Sequence, residues 1–227
     1  MMKPAQKLRE KPHKPPPRQV VSHSQSYHHG DLHDALLKAA EAVLEREGVQ
    51  GLTLRAAARK AGVSHAAPTH HFGDMTGLLS ELAAVGFRRF SAAMREAAAA
   101  AAASRHARLD AMGMAYVKFA RTYPSLFMLM FRSERLDFTR PSLKEAMQDA
   151  GAALAGAVGA VRDPAAPPGP PTPQLAADMV RAWSIVHGFA VLLLDHRLDN
   201  FIAMFPGADP DRLLHAVVNY VPPGESR

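Results

Sequence analysis

From residue 31 onward apolar positions recur every three or four residues, and no stretch of period-two alternation rivals that pattern. An all-α fold is predicted. Leu32, Leu36, Ala39, Ala40, Val43 and Leu44 form one stripe of a first helix, with Asp31 placed to cap its start and Gly48 to end it. Thr53 heads a second helix that runs from Leu54 to Ala61 and stops at Gly62. Ser64 is placed to cap a short third helix through His65 to His71. Asp74 then caps a long fourth helix, which turns Leu78, Leu82, Phe87, Phe90 and Met94 toward a core. That helix runs on into a low-complexity but helix-favouring alanine stretch ending near Ala103.

Further helices are predicted through Met112, Tyr116 and Phe119, from Pro124, from about Pro141 to Val161, from about Gln174 to Arg197, and from Pro210 to Val221. Pro164, Pro167, Pro168, Pro170, Pro171 and Pro173 make residues 162–173 a loop or a stiff connector. The chain thus divides into a disordered basic arm at 1–29, a three-helix bundle at 30–90 and a larger helical domain at 91–221.

Composition mainly excludes. With 227 residues and 48% apolar content, the chain can bury one large core or two modest ones. The absence of cysteine rules out disulfides, thiolate metal sites and cysteine nucleophiles. No apolar run approaches the roughly 20 residues of a membrane span, and the densest, Ala190–Leu194, stops at Asp195. Nothing resembles a secretory signal, so a cytoplasmic location without membrane contact is expected. The net charge of +6 suits a polyanionic partner. Most of that excess lies in the arm, where Lys3, Lys7, Arg9, Lys11, Lys14 and Arg18 face only Glu10 within the first 30 residues. The arm reads either as a solvated tail or as a phosphate contact.

Candidate chemistry concentrates at residues 53–72, which have the mechanical parts of a helix-turn-helix. Ala57, Ala58 and Ala61 let two helices cross closely, Gly62 supplies the left-handed turn, and Val63 plugs the space beneath it. A short helix follows that is free to enter a major groove. Arg55, Arg59, Lys60, His65, His70 and His71 surround it, and no acidic residue stands between positions 48 and 73.

Tyr27-His-His-Gly-Asp-Leu32, Gly51-Leu-Thr-Leu-Arg55, Ala61-Gly-Val-Ser-His-Ala-Ala-Pro68 and His71-Phe72 resemble the N-terminal domain of TetR-family transcription regulators over residues 30–90. The resemblance implies a DNA-binding regulator, a ligand-responsive repressor in most relatives, that acts as a homodimer on a near-palindromic site in double-stranded DNA. It places Thr53 and Ser64 at caps or phosphates, and His65, Ala66, Pro68, Thr69 and His70 on the groove-facing surface. Arg55 and His71 complete the candidate DNA-binding set. Thr69 stands where the family has an aromatic residue, and Met75 where a lysine is common; both departures remove backbone contacts. The third helix carries no Arg, Asn or Gln for bidentate readout, so DNA shape is expected to share in specificity. Histidine sets such as His28, His29 and His33, or His65, His70 and His71, lack the company of metal ligands, and no metal or other cofactor is expected.

In the C-terminal half, Tyr123-Pro-Ser-Leu-Phe-Met-Leu-Met-Phe131 and Ala182-Trp-Ser-Ile-Val-His-Gly-Phe189 are similar to a TetR subgroup with a Trp-His-Gly signature, here Trp183, His187 and Gly188. Trp183 and His187 lie one helical turn apart, where their rings can stack, and Gly188 would admit a neighbouring helix. The last two long helices are broadly apolar and suit a four-helix interface between two copies. Phe90, Met94, Met112, Tyr116, Phe127, Trp183 and His187 are candidates to line a pocket for an apolar or aromatic small-molecule effector, or are ordinary core. No nucleophile, carboxylate pair or phosphate-binding loop suggests an enzyme. A sequence-independent architectural DNA-binding protein is the main alternative, and a sensing dimer that has lost DNA binding is another.

Overall fold

The computed structural model describes residues 29–131, 133–163, 172–207 and 209–220. The basic arm, most of the proline-rich connector and Val221 lie outside these residues. Among the described residues ten α-helices follow one another: α1 (His29–Gly51), α2 (Leu54–Ala61), α3 (Ala67–Phe72), α4 (Met75–Ala100), α5 (Arg105–Thr122), α6 (Pro124–Met130), α7 (Pro141–Arg162), α8 (Pro173–Leu194), α9 (Asp199–Ala203) and α10 (Pro210–Val218). No strand occurs among the described residues. The all-α expectation holds; α1 begins at His29, so the expected cap Asp31 lies inside its first turn, while several later helices do start at a capping side chain. Thr53, Asp74 and Ser104 each accept a backbone N–H three residues ahead, at 3.0, 2.8 and 3.3 Å.

Glycine sets two of the breaks. Gly48 has φ +68° and interrupts α1 near its end, and Gly62 has φ +71° at the end of α2, in the left-handed region where a side chain is strained. The amides of Gly62 and Val63 turn back onto carbonyls of Arg59 and Ala58, so the last turn of α2 is closed by backbone alone.

The long α4 passes through the expected boundary at residue 90 without interruption and packs against α1, α3, α5, α6 and α7. One continuous apolar core therefore runs from Leu36 in α1 to Leu214 in α10. α8 departs from the expected absence of a spanning-length apolar run. It is long and apolar enough to cross a membrane by composition alone, yet few of its residues are buried. Asp178 and Arg162 form an ion pair at its N-terminal end, and α5, α7 and α10 pack along it. α9 was not anticipated, because five residues are too short to show a helical period.

Candidate DNA interface and ligand cavity

α2 and α3 meet at the Gly62 elbow, and α2 packs its buried Ala56, Ala57 and Ala58 on α1. Small side chains here permit the close crossing. The recognition helix differs from expectation in its start. Ser64 does not cap it with its side chain; its carbonyl instead accepts the amide of Ala67 at 3.1 Å in a turn that spans residues 64–67. Helical backbone thus begins at Ala67, and Pro68 falls on the same face as Phe72. Both are buried, so Pro68 belongs to the core and not to the groove-facing surface.

His65, Ala66, Thr69 and His70 are exposed, as are Thr53, Arg55 and Ser64. His71 is half-buried, its ring 6.0 Å from that of His33 and 6.2 Å from that of Phe72. It supports α3 from behind. Among the described residues no group of three ligating side chains is arranged to hold a metal ion.

Two carboxylates of α1 make polar ties, one to α4 and one to α6. Arg89 of α4 donates to both carboxylate oxygens of Glu41, at 2.5 and 3.0 Å, and its guanidinium lies 4.8 Å from the ring centroid of Tyr123. Hydrogen bonding to Glu41 raises the Arg89 pKa further. One turn along α1, Glu45 accepts the amides of Ser125 and Leu126 at 3.3 and 2.9 Å. A carboxylate from the DNA-binding unit thereby caps the N-terminus of α6, where the first amides have no partner within their own helix. No local pattern points to this cap, because the partners lie some 80 positions apart.

The far end of α6 runs into an aromatic cluster. Phe127 and Phe131 lie 5.7 and 4.7 Å from the His187 ring, and Phe90 stands edge-on to Tyr116 at 4.9 Å. Trp183 Nε1 donates to the Tyr116 hydroxyl at 3.1 Å, and that hydroxyl lies 2.8 Å from His187 Nδ1. An indole N–H can only donate, so the Tyr116 oxygen accepts from Trp183, while the direction of its bond with His187 Nδ1 is set by the imidazole tautomer. Burial raises the Tyr116 pKa strongly and lowers that of His187, which keeps both neutral in this arrangement. The rings of Trp183 and His187 are 5.7 Å apart and tilted by 54°.

A cavity of about 580 Å³ opens beside this cluster, between α5, α7, α8 and α10. Of the seven expected lining residues it takes Met94, Met112 and Tyr116. Phe90, Phe127, Trp183 and His187 do not line it: Phe127, Trp183 and His187 pack around Phe131, and Phe90 packs on Tyr116 and Phe119. Leu154, Val158, Ile185 and Val186 complete the apolar wall. The rim is polar, with His106, Asp110, Arg181 and the Arg162–Asp178 pair, joined at 2.5 Å. Arg181 has no ion-pair partner among the described residues. Sequence reading picked the large aromatic residues and missed these charges, which stand alone on helical faces with no motif around them.

Apolar surface also remains uncovered on the last helices. Val180, Trp183, Ile185 and Leu192 of α8 are exposed, together with Phe201, Met204 and Phe205 around α9, at 58%, 68% and 59%. A Cβ added at Gly188 would meet nothing within 4 Å, so among the described residues no helix closes on it. The close helix approach occurs at Gly113, where a Cβ would sit 3.2 Å from Val186.

Residues 36–82 match the family model described as bacterial regulatory proteins, tetR family, and residues 109–221 match that described as tetracyclin repressor-like, C-terminal domain. These matches do not reach the narrower Trp-His-Gly subgroup. A Rhodococcus protein of unknown function is similar over 86% of this chain and 95% of its own, with 36% identity and a TM-score of 0.69. The TetR family transcriptional regulator PfmR from Thermus thermophilus shares the fold at 16% identity and TM-score 0.54, over 81% of this chain and 94% of its own. A TetR family transcription regulator from Marinobacter aquaeolei does so at 16% identity and TM-score 0.52, over 83% and 92%. No functionally curated protein matches the chain significantly. With its elbow at Gly62, its exposed α3 and two matched family domains, this chain belongs to the TetR family of DNA-binding transcription regulators and is not an enzyme.

Proposed function

We propose that the protein is a ligand-responsive repressor that binds a near-palindromic operator as a homodimer. One observation carries the reading: α3 is anchored by buried Pro68 and Phe72 while His65, Ala66, Thr69 and His70 stay exposed beside Thr53, Arg55 and Ser64. His65 and His70 donate to base edges or phosphates, Ala66 meets thymine methyls, and Thr53, Arg55 and Ser64 bind the backbone. The uncovered faces of α8 and α10 support a second copy as partner, and Gly188 allows its helix to come close. Two copies then present α3 about 34–36 Å apart, one turn of duplex.

The cavity supports an effector with an apolar body, and its charged rim adds an acidic group that pairs with Arg181. Such a ligand shifts the dimer toward the arrangement that fits the operator less well. Duplexes enriched from random sequence by the full chain test the first part. Enrichment of a two-fold motif is expected, while equal affinity for all duplexes would favour an architectural role. Thermal shift with long-chain or aromatic carboxylates against their neutral alcohols tests the second part. Stabilisation by the acids is expected, and stabilisation by the alcohols alone would exclude the role of Arg181.

A further inference from the structure

Arg140 immediately precedes α7, far from α3 in sequence, yet its guanidinium reaches the end of the recognition helix. Its Nη2 donates to the Phe72 carbonyl at 2.8 Å, and Nη1 lies 3.5 Å from Glu81 of α4. Ser142, in the first turn of α7, donates to the same Glu81 oxygen at 2.8 Å. The amide of Asp137 donates to the buried Ser80 hydroxyl at 2.8 Å, which fixes the approach to Arg140. The Phe72 carbonyl is the negative end of α3 and has no partner in its own helix, so a cation there satisfies both a hydrogen bond and the helix dipole.

The local sequence makes room for this contact. A Cβ at Gly77 would lie 1.9 Å from the Phe72 oxygen and 2.3 Å from Arg140 Nη2. Only glycine lets the end of α3, the guanidinium and the first turn of α4 converge, although Gly77 sits within a regular helix. At the other end of α7, Leu154, Val158, Val161 and Arg162 line the cavity. Between these ends α7 lies along α4, with Leu143 and Ala146 buried and Asp149 paired with Arg95. A helix of 22 residues spans about 33 Å.

We propose that Arg140 is a positioning residue for DNA recognition and that α7 is a strut joining the ligand cavity to the end of the recognition helix. This rests on the ligand-responsive reading above. Displacement of the cavity end of α7 moves Arg140, and with it the Phe72 carbonyl that sets the tilt of α3. Glu45 and α6 form a separate link, which ends on α1 and does not touch α3.

The test uses full-length protein and the duplex it selects. Arg140→Ala is expected to bind that duplex about tenfold more weakly, with affinity for random competitor within about twofold, since no DNA contact is removed. Amide exchange should rise in residues 66–73 and stay unchanged in α5 and α8. Arg140→Lys keeps the charge and one donor, so it should fall between, and it decides the matter if Arg140→Ala does not fold. Leu154→Trp, which fills the cavity from α7, should change duplex affinity in the wild-type background and lose that effect beside Arg140→Ala. Unchanged duplex affinity in both Arg140 variants, uniformly faster exchange, or additive effects with Leu154→Trp would overturn the proposal. A wild-type protein that selects no duplex would instead defeat the DNA-binding reading, and exchange at residues 66–73 would still decide the clamp.

Discussion

Tyr116→Phe removes one oxygen and isolates the polar bridge between α5 and α8. The ring contacts with Phe90 and Phe127 remain, so the change reads the hydroxyl alone. Two hydrogen bonds disappear, to Trp183 Nε1 at 3.1 Å and to His187 Nδ1 at 2.8 Å. Each is worth about 0.5–1.5 kcal/mol net. Trp183 is 41% exposed, so water can take over its N–H, whereas the half-buried Nδ1 of His187 loses more. The expected cost is about 1–2 kcal/mol. For a chain of this size that corresponds to a fall of roughly 3–6 °C in Tm. Urea unfolding at one fixed protein concentration should show a lower midpoint with an unchanged slope; the concentration is held fixed because self-association of the proposed kind would make stability concentration-dependent. A variant as stable as the wild type would mean that the bridge contributes nothing and that packing alone holds α8.

Glu45→Gln leaves the α6 amides with a neutral acceptor and should cost about 0.5–1.5 kcal/mol in urea unfolding, with faster amide exchange in α6. Gly62→Ala puts a side chain at φ +71° with open space around it, so only backbone strain of about 1–2 kcal/mol is expected, read as a lower Tm. His187 titrates with its pKa lowered by burial, so around pH 6 the unfolded chain binds more protons than the folded one. Its contribution is complete above the unfolded value near 6.5 and shrinks as pH falls toward the lowered folded value; Tm measured from pH 7.5 to 5.5 should therefore drop less in His187→Gln than in the wild type.

What was legible in the sequence was local. Thr53, Gly62 and Asp74 act through their own backbone within a few residues, so composition and spacing reveal them. Pro68 stands one turn from Phe72 and shares its buried face wherever the helix begins, so its four-residue spacing from a core phenylalanine was the signal that pointed inward. Pocket residues were harder, because a large apolar side chain suits a cavity wall and a core equally well. Phe90 and Phe127 went to the core, while the rim charges Arg162, Asp178 and Arg181 came from faces with no periodic signal. Contacts such as Glu45 with α6 and Arg140 with Phe72 depend on tertiary proximity, and no spacing rule points to them.

The central claim, that α3 enters the major groove twice per assembly, is most directly checked by hydroxyl-radical footprinting on the selected duplex with the stoichiometry measured alongside. Two protected stretches about one helical turn apart, two chains per duplex, and loss of both footprints in a His65→Ala, His70→Ala double variant are predicted. A single footprint, one chain per duplex, or protection that survives the double variant would contradict it.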